Sequence, residues 1–295
     1  MPDGFAPTAH VGGLNLTAAP KDARVIVVGN EKGGAGKSTV SMHLTVALMR
    51  MGHSVGIIDL DVRQRTLTRY LENRARWMQS TGTRLPMPEI VRVDASTERD
   101  LDKAESEETH RLLSSIQRLK KSCDFIIIDA PGGNGTFLSR LAHTQADTLI
   151  TPLNDSFVDF DLLGGVNPQT LEVVRPSFYS EMVWSCRKKK AQTSRQPIDW
   201  IVMRNRMSPL AARNKERVGE ALDNLSKRIG FRLAPGLSER VIYRELFPAG
   251  LTLLDLTEKG SNVSFTMSHV AARQEMRDLL IVLQLPELVG AEITF

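Results

Sequence analysis

Residues 30–39 read NEKGGAGKST, and this glycine-rich stretch follows the apolar run VIVV at 25–28 after a single glycine, Gly29. The usual phosphate-binding loop, G-x-x-x-x-G-K-[ST], has glycine where this chain has Glu31, but Lys37 and Ser38 stand where that loop requires them. A second lysine, Lys32, precedes the glycines. Because an apolar strand leads into the loop and a helical pattern follows it, the stretch predicts a phosphate-binding site with one unexplained lysine.

The loop predicts a distinct role for each group of its residues. Glycines let backbone amides converge on phosphate oxygens, and the helix N-terminus adds positive partial charge. We expect Lys37 to reach the β and γ phosphates of ATP, Ser38 to hold Mg²⁺ and Thr39 to donate to the α phosphate. The backbone cradle consists of Gly33, Gly34, Ala35 and Gly36.

The rest of the chain alternates short Val- and Ile-rich runs with amphipathic stretches, a pattern typical of a parallel sheet covered by helices. It predicts an α/β fold with a doubly wound, mostly parallel sheet. The predicted strands are 24–30, 54–61, 89–94, 124–131, 147–153 and 199–205. The predicted helices are 37–51, 64–79, 97–121, 135–145, 209–228 and 264–283.

Acidic residues end two of these strands. The run FIIIDAPGG places Asp129 at the end of a buried strand, where Mg²⁺ or its water shell is the natural partner of a carboxylate. Gly132 or Gly133 could then offer an N–H to the γ phosphate and move when that phosphate leaves. Asp59 and Asp61 lie two residues apart at the end of another strand, hence on one side of it and at the ligand-binding edge of the sheet.

Lys32 makes physical sense if it reaches a nucleotide held by a second subunit, which predicts a nucleotide sandwich between two copies. At this point the sequence resembles a family: KGGAGKST at 32–39 is similar to the deviant Walker A signature of the ParA/MinD ATPases. In that family the leading lysine crosses a two-fold interface to the partner's phosphates. The resemblance therefore implies a homodimer that ATP closes and ADP does not, with Lys32 and Lys37 both serving catalysis.

The same resemblance implies roles for several residues outside the loop. Asp61 would orient or activate the attacking water, and Asp59 would sit near Mg²⁺ together with Asp129 and Ser38. Alternatively, Asp59 caps a helix or loop. Arg63 and Gln64 would line the phosphates or the dimer interface. Asn205, at the end of the predicted strand DWIVMRN, would pair with the adenine edge, or it is simply a turn residue.

Longer stretches resemble a branch of this family that positions the division site in bacteria. They are DLDVRQRT at 59–66, NDSFVDFDLLG at 154–164, the strand end RNR at 204–206 and RVIYRELFPAGLTLLDL at 240–256. This resemblance implies a slow ATPase whose ATP dimer binds DNA nonspecifically and inhibits polymerisation of FtsZ, with recruitment by ParB near the chromosome origin or the cell poles. A ParA-type partitioning ATPase, which would act on cargo, is the alternative. A metabolic kinase would have no use for Lys32.

Charge is distributed unevenly along the chain. Residues 187–245 carry 15 Lys and Arg against six Asp and Glu, although the whole chain has a net charge of only +4. Such a basic segment indicates a polyanionic partner, and we expect sequence-independent, salt-dependent DNA binding. At helical spacing one stripe of the predicted helix 209–228 is basic and the opposite side is apolar. The candidate DNA-binding residues are Arg213, Lys215, Arg217, Asn224, Lys227 and Arg228, and RKKK at 187–190 is expected as an exposed loop beside them.

Composition excludes several classes of protein. The sequence has no 18-residue apolar run and no signal-peptide pattern, and its C-terminal helical stretch balances Arg with Glu and Asp, so we expect a cytoplasmic protein without strong membrane binding. Its two cysteines lack metal-ligand spacing, and Cys123 is expected to be a small buried residue. We expect a flexible leader at 1–22, one ATPase domain at 23–285 and a tail at 286–295.

Overall fold

A seven-stranded parallel sheet forms the centre of the computed structural model. The structure describes residues 22–133, 135–167, 169–170, 172–194, 196–207 and 212–293, without the side chains of 157–158 and 212–218. The strand order is β3-β2-β4-β1-β5-β8-β9, and every pairing in this sheet is parallel. The strands are β1 Arg24–Val28, β2 Val55–Asp59, β3 Glu89–Arg92, β4 Phe125–Asp129, β5 Thr148–Asn154, β8 Asp199–Asn205 and β9 Arg232–Ala234. Strands β6 Gly164–Val166 and β7 Val173–Pro176 form a separate antiparallel pair.

Helices cover both faces of the sheet. They are α1 Lys37–Arg50, α2 Thr66–Thr81, α3 Leu101–Leu119, α4 Phe137–Gln145, α5 Phe157–Phe160, α6 Phe178–Ser194, α7 Ala212–Ile229, α8 Ile242–Leu246 and α9 Met267–Leu283. Short 3-10 turns follow at Phe247–Ala249, Leu253–Asp255 and Pro286–Leu288. Within the described residues no helix is both long enough and apolar enough to cross a membrane.

Alternation along the strands divides the core into two layers. In β1, Val25 and Val27 point to the layer that contains α3, α4, α6 and α7, whereas Ile26 and Val28 point to the layer that contains α1, α2 and α9. Because β1 lies between β4 and β5, the loop after β1 emerges at the middle of the carboxyl edge of the sheet. Ligands bind at this edge in doubly wound folds.

The predicted α/β fold is confirmed, and every predicted strand and helix has a counterpart within a few residues. The expectation of a loop at 187–190 was wrong, because these residues belong to α6. This helix buries only Tyr179, Ser180, Val183 and Cys186, so its apolar stripe is narrow and the basic run obscures it. Cys123 is buried, as expected.

Candidate functional site

The glycine-rich loop has a backbone that requires its glycines. Gly34 and Gly36 have φ angles of 76° and 89°, in the left-handed region that side chains disfavour. A Cβ on Gly36 would also lie 2.1 Å from the Asn205 side-chain nitrogen. Gly36 is the N-cap of α1 and offers no side-chain cap. The first amides of α1 therefore face the loop, where an anion can accept from them.

Lys37 begins α1 and is folded back over the loop. Its Nζ donates to the carbonyl oxygen of Lys32 at 3.0 Å. Burial lowers the pKa of the Lys37 amine, while the charges of Asp129 and Asp61 oppose this shift. A buried ammonium with one backbone partner is well suited to a negatively charged ligand.

Two carboxylates lie side by side at the ends of neighbouring strands. Asp59 and Asp129 are directly paired positions at the ends of β2 and β4, and both are buried. Burial raises the pKa of Asp129 to about 7, and the Asp59 charge adds to the rise, while Ser38, Ser41 and Lys37 oppose it. Two adjacent buried carboxylates and a serine hydroxyl form an oxygen donor set that fits Mg²⁺.

The carboxylate of Asp59 also organises the loop that follows β2. One of its oxygens accepts from the Thr68 amide at 2.9 Å and from the Thr68 hydroxyl at 2.8 Å, while the other accepts from the Asp61 amide at 3.0 Å. The Asp61 carboxylate in turn accepts from the Gln64 amide at 2.9 Å. Asp59 therefore has the capping contacts of the alternative interpretation, and its role at a metal stays a prediction.

Lys32 lies outside the phosphate cradle. Its Nζ forms an ion pair with Asp159, whose side chain is only 2% exposed, whereas that of Lys32 is 44% exposed. Asp159 belongs to α5, 127 positions further along the chain, and also accepts from the Asn154 amide at 3.2 Å. The ammonium of the leading lysine is thus held by a carboxylate of its own subunit, while the Lys32 carbonyl accepts from Lys37 Nζ.

Asn205 connects the end of β8 to the loop. Its amide nitrogen donates to the Ala35 carbonyl at 2.8 Å, and its oxygen accepts from the Arg206 amide at 3.0 Å. Arg206 has a φ of 52° and an exposed side chain. Both ends of the Asn205 amide have protein partners, so contact with a base would use its second N–H or the second lone pair of its oxygen.

A cavity of about 400 Å³ lies against the loop, and Lys32, Asp59, Asp129 and Asn205 are not among its lining residues. It is lined by Glu31, Gly33, Gly34, Gly36, Lys37, Ser38, Thr39, Asp61, Gln64, Thr66, Ala130, Gly132, Gly133 and Arg206. A smaller recess of about 80 Å³ adjoins it, with Val40, Asn205, Leu237 and Tyr243 among its walls. Arg63 is exposed beside the cavity and does not line it.

Arg206 lines both the cavity and the recess, a position that the sequence analysis missed. Tyr243 and Asp159 were also missed as site residues. All three lie inside segments whose sequence resembles the family. The resemblance therefore pointed to these segments but did not assign a role to Asp159, Arg206 or Tyr243. The contacts of these residues depend on chain segments that are distant in sequence.

A buried hydrogen-bonded relay of Tyr179, His143 and Thr151 contacts Gly29, just before the loop begins. The Tyr179 hydroxyl lies 3.0 Å from the Gly29 carbonyl, 3.2 Å from His143 Nε2 and 3.1 Å from the Thr151 hydroxyl. Trp200 donates to Thr151 at 3.0 Å. The relay joins helices α4 and α6 to the entry of the loop.

The basic helix α7 is amphipathic over its described part. Leu222, Leu225 and Ile229 are buried, while Lys227 and Arg228 are exposed, as the helical spacing predicts. Asn224 is exposed as well, whereas Arg213, Lys215 and Arg217 belong to α7 but have side chains outside the described residues. The Arg187 guanidinium donates to the Gly230 carbonyl at 2.7 Å, which places the basic run of α6 beside the end of α7.

The parallel sheet, the glycine loop at its central carboxyl edge and the acidic ends of β2 and β4 define a P-loop nucleoside triphosphatase of the deviant Walker A type. The family model described as ATPase MipZ matches residues 24–287. The chain therefore belongs to the MipZ family of ATPases, within the ParA/MinD group.

Individual relatives are more distant. The chain is 31% identical over 143 residues to the septum site-determining protein MinD of Synechocystis, covering 43% of this chain and 53% of that protein. The chain thus matches about half the length of the first curated relatives. An ATP complex of Cyanothece McdA has a TM-score of 0.57 and 19% identity, covering 87% of this chain and 97% of that one. The Mg-ADP complex of Pyrococcus horikoshii MinD has a TM-score of 0.53 and 18% identity, covering 88% and 98%.

Proposed function

We propose that this protein is an ATP-dependent dimerisation switch with slow ATP hydrolysis, whose ATP dimer binds DNA nonspecifically and regulates placement of the division site. Family membership supports the ATPase activity and a role in division or partition. ATP-dependent dimerisation, nonspecific DNA binding, recruitment by ParB and inhibition of FtsZ assembly are the finer parts of the proposal. They rest on the sequence resemblance and on the site described above.

The position of Lys32 carries the proposal. Its ammonium is paired with Asp159 and does not line the cavity that holds Lys37. In the closed dimer this lysine would leave Asp159 and contact phosphates held by a second copy. Lys32 would then exchange Asp159 for the phosphates when the dimer closes. The greater negative charge of ATP would favour the closed dimer over the open monomer.

Positioning and charge neutralisation account for the chemistry of hydrolysis. Lys37 and the loop amides would hold the phosphates, and Asp61 would orient the attacking water at the mouth of the cavity. Ser38, Asp129 and Asp59 would hold Mg²⁺, which supplies charge neutralisation between the phosphates when it is bound. Gly132 lies against the loop, because a Cβ there would be 3.1 Å from Lys37 Nζ and 3.2 Å from Gly33 Cα. Its N–H would donate to the γ phosphate and lose this partner when the phosphate leaves.

Doubling of a basic surface explains how ATP could control DNA binding. Each copy presents α7 with Lys227 and Arg228 exposed on its polar face. If one copy makes Z phosphate contacts, the slope of log affinity against log salt changes from about −0.9Z to about −1.8Z on dimerisation. A weakly binding monomer thereby becomes a DNA-bound dimer without a new binding motif. We infer that the protein is associated with the nucleoid, with ParB recruiting it near the chromosome origin or the poles.

Fluorescence anisotropy of a random-sequence DNA duplex tests the switch. The titrations use wild type, Lys32→Ala and Asp61→Ala, with ATP or ADP, at several salt concentrations. We expect binding with ATP alone, abolished by Lys32→Ala and prolonged by Asp61→Ala. Binding that ignores both the nucleotide and Lys32 would show that the basic surface is independent of the ATP site.

FtsZ assembly separates the proposal from the partitioning alternative. Light scattering of assembling FtsZ is followed with the ATP-loaded protein, and Lys32→Ala serves as the matched control. We expect the wild type to suppress assembly and the variant to lose this effect. An ATP dimer that binds DNA but leaves FtsZ assembly unchanged would favour a ParA-type partitioning ATPase.

A further inference from the structure

A groove between α4 and α6 lies outside the nucleotide site and has a cavity volume of about 310 Å³. Its floor includes the half-buried apolar side chains of Phe137, Leu141 and Met182. Phe178, at the start of α6, is 67% exposed. A concave apolar floor between two helices is the shape into which an amphipathic helix packs its apolar face.

Positive charge surrounds this floor. Arg140 and Lys189 line the groove, and no carboxylate is among its lining residues. Within the part of the chain that the structure describes, neither of these two cations has a carboxylate partner. Lys190, by contrast, is neutralised by Asp147 at 2.9 Å. The groove therefore presents two cations able to accept acidic side chains.

The groove is connected to both loops of the nucleotide site. Helix α4 begins four residues after Gly133, and the Arg140 guanidinium donates to the Gly135 carbonyl. Tyr179 of α6 contacts the Gly29 carbonyl at the entry of the phosphate loop. Each of the two helices that form the groove therefore contacts a segment beside the nucleotide site.

We propose that the groove between α4 and α6 binds an acidic amphipathic helix of a partner protein. Apolar side chains of this helix occupy the floor formed by Phe137, Leu141 and Met182, while its carboxylates pair with Arg140 and Lys189. The apolar floor favours a peptide over DNA, since a duplex presents phosphates and no apolar face. Communication of this site with ATP rests on the proposed switch, whereas the binding itself does not.

Selection from a displayed library of random 16-residue peptides tests the groove. The full-length protein is used as the target, with a non-hydrolysable ATP analogue and separately with ADP. Anisotropy of the enriched peptides is then measured on wild type, Arg140→Glu/Lys189→Glu and Leu141→Gln. The matched control is Lys227→Glu/Arg228→Glu, which reverses two exposed charges on α7. Retained ATP binding and circular dichroism show that each variant is folded.

We expect enriched peptides with Glu or Asp and with apolar residues at spacings of three and four. The double charge reversal in the groove should weaken their binding at least 10-fold and Leu141→Gln at least 5-fold, while the α7 control changes it less than 2-fold. Enrichment of basic peptides, or binding that ignores the groove variants, would overturn the proposal.

Two further measurements exclude other occupants. If Arg140→Glu/Lys189→Glu weakens DNA binding as much as the α7 control does, the groove belongs to a nucleic-acid surface and the proposal is wrong. If it abolishes the ATP-dependent increase in mass, the groove is an interface between copies and the proposal is again wrong. A wild type that never dimerises with ATP refutes the switch and leaves peptide binding to the groove measurable.

Discussion

The two helical layers that cover the sheet contain different kinds of buried polar cluster. On the side of α1 and α2, Arg74 pairs with Asp255 at 2.7 Å, and both side chains are fully buried. On the side of α4 and α6, neutral groups meet in the relay of Tyr179, His143 and Thr151. The ionic cluster joins α2 to the C-terminal part of the chain, whereas the neutral relay contacts Gly29, the residue before the phosphate loop.

This difference indicates that the two layers have different roles, one in stability and one in response to the nucleotide site. Removal of one partner from a buried ion pair is strongly destabilising, because the remaining charge loses compensation. Without Arg74, the Asp255 carboxylate would keep Arg50 at 2.7 Å as a cationic partner. A Cβ on Gly250 would lie 2.0 Å from the backbone nitrogen of Arg74, so the two backbone segments are also tightly packed there. Neutral hydrogen bonds are individually weaker and can be exchanged. The α1 and α2 layer is therefore suited to holding the loop in place, and the α4 and α6 layer to responding to it.

Removal of one member of the ion pair should have the largest effect on stability. Burial by itself would raise the pKa of Asp255, but the hydrogen bonds and charge of Arg74, with Arg50, lower it to about 2. We expect Arg74→Met to reduce the free energy of unfolding by about 3 to 5 kcal/mol, measured by urea denaturation. The control is Arg118→Met, which breaks an exposed pair with Glu89 and should cost less than about 1 kcal/mol. Equal losses would show that the ion pair does not anchor this layer.

Buried imidazoles occur in both layers and should respond equally to pH. Burial lowers the pKa of His43 and of His143 to about 4. Stability from each neutral imidazole is therefore present above the unfolded pKa of about 6.5 and is lost as the pH falls towards 4. Between pH 7 and 5 each contributes a loss of about 2 kcal/mol.

Comparison of variants isolates this effect from Asp129, whose raised pKa acts in the opposite direction. The stability deficits of His43→Gln and His143→Gln relative to wild type, measured at pH 7, should each shrink by about 2 kcal/mol at pH 5. Urea denaturation at the two pH values provides the data. A shrinkage for one variant and none for the other would mean that the two layers do not bury their imidazoles alike.

Two tyrosine variants test the functional difference directly. Tyr179→Phe removes a hydroxyl from the relay at Gly29, and Tyr70→Phe removes one that donates to the Leu251 carbonyl at 2.7 Å in the other layer. Each should lower the free energy of unfolding by about 1 kcal/mol. ATP affinity, measured by calorimetry, should fall several-fold for Tyr179→Phe alone. An equal fall for Tyr70→Phe would contradict the different roles of the two layers.

Release of Lys32 from Asp159 should have the smallest effect in free energy, and the affected quantity is the stability of the ATP dimer. Asp159→Asn removes the charge that holds this lysine in its own subunit, and we expect ATP-dependent dimers at roughly 3-fold lower protein concentration, equivalent to under 1 kcal/mol. Sedimentation with ATP and with ADP measures the change, and Asp161→Asn serves as a neighbouring control. Weaker dimerisation of Asp159→Asn would mean that Asp159 supports the closed state.

Features that depend on local sequence could be predicted well. Strands β1, β2, β4 and β8 each contain a short apolar run, and the loop at 30–39 has its glycines and Lys37 at a fixed spacing. Features without such patterns were missed. Strand β9 and the β6–β7 pair are only three or four residues long, and α6 has a narrow apolar stripe. Their positions depend on packing against elements that are distant in the chain.

The sequence by itself determined the parallel α/β fold, the phosphate loop and the acidic strand ends, because periodicity and spacing act within a few residues. Tertiary structure alone decided that Lys32 pairs with Asp159 and that Arg74 pairs with Asp255. It also decided that α4 and α6 enclose a groove lined by Arg140 and Lys189, which have no carboxylate partner among the described residues. These contacts join residues more than 100 positions apart or two separate helices. Their energies arise from burial and charge in the assembled core, which a local pattern does not contain.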